Sequence, residues 1–184
     1  MLPGKTIIHI VLGTAVLLSV PLLAMQVTDE VAWDLADFVL AGVLLGGTAL
    51  LYSLAASRTR TTVYRAAVGL ALAAALILVW VNLAVGLIGS EDDPANLMYA
   101  GVLVVGVVGA ISARFQAPGM ARALLAAALA QVLVTAIALV GRLGAPWSGP
   151  AEVLAVNGLF VVLFAVSAWL FRRSEPGRAE RGRA

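Results

Sequence analysis

Four polar side chains occur inside or at the ends of long apolar stretches of this sequence, namely Asp37, Asn82, Asn96 and Asn157. Carboxylate and amide groups at such positions can hold a solute or an ion, and polar residues inside membrane segments mark ligand pathways. On the apolar helices predicted below, all four fall in the outer third of the membrane, where they form a candidate outward-facing pocket. The alternative is that the amides bond neighbouring helices together, at roughly 0.6–2 kcal/mol each.

A second group of candidate ligands is the acidic stretch Glu91, Asp92 and Asp93, which precedes Pro94. Loop carboxylates supply the oxygen ligands that Ca²⁺ and Mg²⁺ prefer, so this is a candidate cation-binding loop. Three consecutive acids do not have EF-hand spacing, however, and adjacent side chains diverge. The alternative is structural, because acids near a helix start interact favourably with its dipole and proline suits a first turn.

Asp34 and Asp37 form a third candidate, a carboxylate pair. Their spacing of three residues places them on one face of a helix, as a paired site requires. The alternative is that they cap a helix, because an aspartate at a helix start accepts a hydrogen bond from backbone N–H groups that have no partner within the helix.

The residue inventory leaves little for catalysis or metal binding. The chain has no cysteine and a single histidine, His9, which excludes thiolate nucleophiles, cysteine-ligated metals and bis-histidine haem ligation by this chain alone. We therefore expect no catalytic residue, no metal and no cofactor. His9 is interpreted as an interfacial or packed residue, and Gln131 as an amide near the middle of its apolar stretch.

The composition predicts an integral membrane protein. Of the 184 residues, 62% are hydrophobic and 12% are charged, whereas a soluble domain has roughly 25% charged residues. A water-soluble domain of this size has no way to hide so much apolar surface. The formal net charge of +2 does not indicate nucleic-acid binding, because the basic residues are distributed by membrane side.

Six apolar runs are long enough to cross the ~30 Å hydrocarbon core as helices. Their predicted bounds are 7–25, 36–56, 66–88, 95–113, 123–140 and 154–171. Because the connections are short, the predicted fold is an all-α, polytopic six-helix transmembrane bundle in one domain, residues 1–171. Pro21 is expected to kink or end the first helix, and residues 172–184 are expected to form a polar cytoplasmic tail.

The charged residues also predict the orientation of the chain. If both termini are cytoplasmic, only Arg142 of the twelve Lys and Arg residues lies outside, in agreement with the positive-inside rule. The acidic residues have the opposite distribution, with only Glu175 and Glu180 inside. Aromatic residues near the span ends, such as Tyr99 outside and Trp169 inside, fit the two interfacial belts.

Several segments carry a family resemblance. They are Asn82–Tyr99, which contains IGSEDDPANLMY, together with Ala113–Phe115, Gly119–Ala123 and Ser167–Arg173. These segments resemble a group of small, uncharacterised multi-pass proteins of the bacterial inner membrane. The resemblance implies a bacterial inner-membrane protein without an assigned activity, and it identifies no catalytic or binding residue.

The favoured interpretation is a non-enzymatic accessory or structural component of the bacterial inner membrane. The alternative is a small-solute or ion transporter that uses the outward-facing pocket, and an enzyme is the third and least favoured class. The expected partner is the lipid bilayer, with another membrane protein or a second copy of the chain as further candidates. No nucleic-acid partner is expected.

Overall fold

The computed structural model describes residues 4–57, 61–145 and 148–174, which are helical apart from short connections. Within these ranges, six α-helices follow one another: α1 (Gly4–Val27), α2 (Leu35–Ser57), α3 (Thr62–Ala84), α4 (Met98–Ser112), α5 (Ala117–Val140) and α6 (Pro150–Arg173). A 3₁₀ turn, Pro94–Leu97, leads directly into α4. No strand occurs in this described part of the chain. The predicted all-α fold is confirmed.

All six helices are long and apolar enough to cross a membrane when the 3₁₀ turn is counted with α4. Their lengths of 19 to 24 residues correspond to about 28 to 36 Å at 1.5 Å per residue. That range nearly matches or exceeds the thickness of the hydrocarbon core. The predicted number of spans is confirmed, and the cytoplasmic placement of the termini stays a prediction.

The end of α3 differs from the end of the predicted apolar run. The helix ends at Ala84 rather than at Ile88, because Gly86 has a φ of +72°, which a right-handed helix does not contain. The apolar residues that follow are nevertheless buried, Leu87 at 6% and Ile88 at 0% exposure. The prediction, which used hydrophobicity alone, therefore assigned the residues of a buried loop to the helix.

Two other helices run further than the sequence suggested. The α5 helix begins at Ala117 rather than at Ala123, and Pro118 lies in its first turn, where no intrahelical N–H donor is needed. The α1 helix continues through Pro21 as far as Val27. The proline therefore does not end α1.

The helices group into two compact units, Met1–Arg58 and Thr59–Ala184. We call the first the hairpin unit, because it contains α1 and α2, and the second the four-helix unit, because it contains α3 to α6. Each unit is described by itself. The single domain of residues 1–171 stays a prediction.

Glycines let α1 and α2 approach closely within the hairpin unit. A Cβ atom added to Gly42 would lie 3.6 Å from Leu18 Cδ1, and one added to Gly46 would lie 3.5 Å from Thr14 Oγ1. Both distances are ordinary van der Waals contacts, so the side chains of α1 rest directly above the glycines of α2. Small residues support helix packing inside membranes in this way.

The α5 helix is central to the four-helix unit, where it packs against α4 and α6, while α3 packs against α6. The approach of α4 to α5 is very close, since a Cβ atom on Gly109 would lie 2.6 Å from Ala123 Cβ. The α3 and α6 helices are joined by the buried Ser167 hydroxyl, which donates to the Ala67 carbonyl at 2.7 Å. The interior of this unit therefore contains polar as well as apolar contacts.

The predicted cytoplasmic tail lies outside the described residues from Glu175 onwards. Within the described part, α6 ends with Arg172 and Arg173 in its last turn, where cations complement the helix dipole. The Arg173 guanidinium carbon lies 3.9 Å from the centre of the Trp169 ring. This cation–π contact is typical of an interfacial helix end.

Candidate functional site

Asn157 is the centre of a buried hydrogen-bond network that joins three helices. Its Oδ1 atom accepts from the Tyr99 hydroxyl of α4 at 2.8 Å and from Gln131 Nε2 of α5 at 2.9 Å. Its Nδ2 atom donates to the Val153 carbonyl, one turn earlier in α6, at 2.8 Å. Every polar atom of the Asn157 side chain is therefore bonded, and the side chain is 0% exposed.

Tyr99 has a different role from the one its sequence position suggested. The sequence placed it in the outer aromatic belt, but its side chain is 1% exposed and is enclosed by protein. A belt residue would present its ring to the lipid interface. Tyr99 instead connects α4 to α6, a role that the sequence did not reveal because 58 residues separate it from Asn157.

Gln131 contributes an unusual feature to the same network. It is 0% exposed, and its Oε1 atom has no hydrogen-bond partner among the described residues. A flip of the amide would bring Oε1 towards the oxygen of Asn157, which is itself an acceptor, so a flip would not satisfy it. A buried amide oxygen without a donor costs about 1–3 kcal/mol.

Asn96 holds the connection between α3 and the 3₁₀ turn. Its Oδ1 atom accepts from the backbone N–H groups of Leu87 and Ile88, each at 3.0 Å. Its Nδ2 atom donates to the carbonyls of Ile88 at 3.1 Å and Ser90 at 2.6 Å. One buried side chain thus replaces the hydrogen bonds that this backbone would make in a helix, which explains how a loop can be buried.

Asn82 lies beside this loop and is less completely bonded. Its Nδ2 atom is 3.5 Å from the Asn96 carbonyl oxygen, a long hydrogen bond. Its Oδ1 atom is buried and has no partner within the described chain. Asn82 and Asn96 are therefore brought together, whereas Asn157 belongs to the network of Tyr99 and Gln131.

One residue of the acidic stretch, Asp93, has the structural role that was the alternative to cation binding. Asp93 caps the 3₁₀ turn, since its Oδ1 atom accepts from the Ala95 N–H at 2.8 Å, and Pro94 occupies the first position of the turn. Glu91 and Asp92 are exposed. The described residues contain no cluster of three or more His, Cys, Asp or Glu side chains that could hold a metal ion.

Asp37 lies in the hairpin unit, where it forms a capping box with Asp34. The Asp34 N–H donates to Asp37 Oδ2 at 2.9 Å, and the Asp37 N–H donates to Asp34 Oδ1 at 3.0 Å. Two backbone donors at the start of α2 are thereby satisfied reciprocally. The capping interpretation of this pair is confirmed, and both side chains are exposed.

Comparison with protein families, with curated proteins and with solved structures gives no match for this chain. The function is therefore inferred from the residues described above. Among these residues, the buried amides serve mainly to join helices and to hold a loop. The outward-facing pocket of Asp37, Asn82, Asn96 and Asn157 stays a prediction.

Proposed function

We propose that this chain is a non-enzymatic accessory or structural component of the bacterial inner membrane, with both termini in the cytoplasm. Six helices that are long and apolar enough to cross a membrane are compatible with an integral membrane protein. The asymmetric distribution of basic residues supports the orientation. The resemblance of the Asn82–Tyr99 segment supports the bacterial inner membrane as its location.

The observation that carries the proposal is the hydrogen bonding of Asn96 and Asn157. These two amides were the most buried members of the candidate pocket, at 4% and 0% exposure. Every polar side-chain atom of both is bonded to protein. The side-chain oxygens of Asn96 and Asn157 each accept two hydrogen bonds, so a solute could donate to them only by displacing these protein donors. The geometry therefore favours a packing role for the amides over a transport role.

A second candidate function, a small-solute or ion transporter, is supported by the two unpaired acceptors. Asn82 Oδ1 and Gln131 Oε1 are buried without a donor among the described residues. A solute that carries hydrogen-bond donors would satisfy such atoms. Under this alternative, a ligand should stabilise the protein by RT ln(1 + [L]/Kd), about 2.7 kcal/mol at one hundred times Kd.

The two functions are separated by a thermal-shift screen on the purified full chain in nanodiscs, with cations, amino acids and sugars as probes. The accessory role predicts no saturable shift for the wild type, and co-purification from native membranes of one protein at fixed stoichiometry. A saturable shift that is lost in both Asn82→Leu and Gln131→Leu, together with uptake of the same solute by proteoliposomes, would establish the transporter instead. Thr135→Val, a buried change on α5, is the matched control.

A further inference from the structure

A groove with a volume of about 570 Å³ lies between α1 and α2 in the hairpin unit. This volume is within the range of about 300–1,000 Å³ that is usual for ligand sites. Residues on one face of each helix line the groove, among them Thr6, His9, Gly13, Leu17, Leu45 and Ser53. The four on α1 are three or four positions apart and the two on α2 are eight apart, which places each set on one helix face.

The groove changes in character along its length. Thr6 and His9 near the start of α1 lie at the same end as Ser53 near the end of α2, because the two helices form a hairpin. Deeper in the groove most of the lining is apolar, with Leu17 and Leu45, and Thr14 is the one residue there with a hydroxyl group. From Thr6 to Leu17 the helix rises about 16 Å, roughly half of the ~30 Å hydrocarbon core. The groove therefore spans about one leaflet, with its polar end at the membrane surface.

The polar end of the groove contains groups that can form hydrogen bonds with a ligand. His9 Nδ1 lies 2.6 Å from the Lys5 carbonyl oxygen, and because a carbonyl only accepts, Nδ1 carries the proton. In the neutral ring Nε2 is then an acceptor, which can receive a hydrogen bond from a hydroxyl group of a ligand. The hydroxyl groups of Ser19 and Ser57 bond to carbonyls of their own helices. The hydroxyls of Thr6 and Ser53, in contrast, have no bond of this kind within the described chain.

The charge at this end of the hairpin unit is positive. Lys5 is the only Lys or Arg among residues 4–57, and it immediately precedes the groove residue Thr6. All acidic residues of the same segment, Asp29, Glu30, Asp34 and Asp37, lie at the opposite end, around the turn that joins α1 to α2. An anionic group at the mouth of the groove would therefore meet a cation, and the described residues of this unit place no carboxylate at that end.

We propose that the groove is a binding site for one anionic phospholipid of the leaflet at the Lys5 end. The phosphate lies beside Lys5 and the hydroxyl of Thr6, and one acyl chain runs along Gly13 towards Leu17 and Leu45. Basic residues near a membrane surface attract anionic lipids, and the apolar part of the groove matches the hydrocarbon chain. This inference goes beyond the accessory role, because it assigns a defined ligand to a defined site.

Native mass spectrometry of the purified full chain tests the proposal, with phosphatidylglycerol and phosphatidylcholine of identical acyl chains as probes. The wild type should retain one phosphatidylglycerol per chain in preference to phosphatidylcholine. Lys5→Gln should reduce the affinity for phosphatidylglycerol about fivefold, the equivalent of about 1 kcal/mol, and leave phosphatidylcholine binding unchanged. Lys5→Arg should restore the preference. Equal retention of the two lipids by the wild type would overturn the proposal.

Filling the groove is the second arm of the test. A Cβ atom at Gly13 meets nothing within 4 Å, and Gly13 lines the groove, so the side chain of Gly13→Leu starts in open space and occupies part of the groove. It should weaken binding of phosphatidylglycerol by about tenfold or more, as overpacking of a filled site does. Gly47→Leu is the matched control, because Gly47 is also open and lies on α2 outside the groove lining.

Two outcomes of this second arm would contradict the lipid site. An equal loss of phosphatidylglycerol in Gly13→Leu and Gly47→Leu would show that the groove is not the site. Conversion of a dimer to a monomer by Gly13→Leu, with lipid retention unchanged, would show that a second copy of the chain occupies the groove. If Gly13→Leu does not fold, as judged by circular dichroism, the exposed Lys5 variants still decide the matter.

Discussion

Replacement of Asn157 by leucine should destabilise the four-helix unit by about 1–3 kcal/mol. Leucine has nearly the same shape, so the change removes hydrogen bonds without opening a large cavity. The variant loses the bonds from Tyr99 and Gln131, at 2.8 and 2.9 Å. Hydrogen bonds between helices average about 0.6 kcal/mol and reach about 1.7 kcal/mol in membrane proteins, and the two donors left behind in the core add a desolvation cost.

The measurement is the free energy of unfolding of each variant in mixed micelles, titrated with sodium dodecyl sulfate and followed by circular dichroism. A double-mutant cycle that combines Asn157→Leu with Tyr99→Phe isolates the interaction between these two residues and should give a coupling energy of about 0.5–1.5 kcal/mol. Thr135→Val is the matched control, because the Thr135 hydroxyl bonds only to the Gln131 carbonyl of its own helix. It should cost less than about 0.5 kcal/mol.

The network would be refuted by an Asn157→Leu variant as stable as the wild type. A coupling energy of zero between Tyr99 and Asn157 would refute it equally, even if both single variants were destabilised. A Thr135→Val variant as unstable as Asn157→Leu would show that any polar deletion in this core has the same effect. The hydrogen bond between helices would then contribute no more to the free energy of unfolding than a bond within one helix.

Three further predictions concern the loop and the cap. Asn96→Ala should destabilise the protein by about 2–4 kcal/mol, because two buried N–H groups lose their acceptor. Limited proteolysis should then cut the loop after α3. An intact, stable variant would contradict the structural role of Asn96. Gly86→Ala should cost more than about 2 kcal/mol in unfolding free energy, since φ is +72° and the new Cβ would clash with the Ser90 carbonyl oxygen. Gly101→Ala, at an open helical position, should be neutral or stabilising by up to about 1 kcal/mol. Asp37→Asn should change the unfolding free energy by less than about 0.5 kcal/mol, because asparagine caps a helix as well as aspartate does. Asp37→Ala, which removes the cap, should cost about 1 kcal/mol. A much larger effect of Asp37→Asn would assign the carboxylate a role beyond the cap.

The number and approximate positions of the helices could be predicted from the sequence, because the length of an apolar run is the dominant constraint in a membrane. The end of α3 could not. Its last predicted residues, such as Ile88, are apolar and buried in a loop, which is possible only because Asn96 replaces their helical hydrogen bonds. Hydrophobicity does not distinguish a buried helix end from a buried loop.

The candidate site was predicted in part. The sequence allowed a role for Asn157 in bonding neighbouring helices together, and its bonds to two other helices agree with that alternative. Its partners Tyr99 and Gln131 were not identified. Helices that are apolar on every face carry no periodicity to show which face is buried, and the sequence therefore cannot show which side chains meet.

Reporter fusions show whether the chain crosses the bacterial inner membrane six times with both termini in the cytoplasm. Fusions of green fluorescent protein and alkaline phosphatase would be made after Ser57, after Asp92 and at Ala184. We expect fluorescence without phosphatase activity after Ser57 and at Ala184, and phosphatase activity without fluorescence after Asp92. Phosphatase activity at Ala184 would place the C-terminus in the periplasm and contradict the six-span topology.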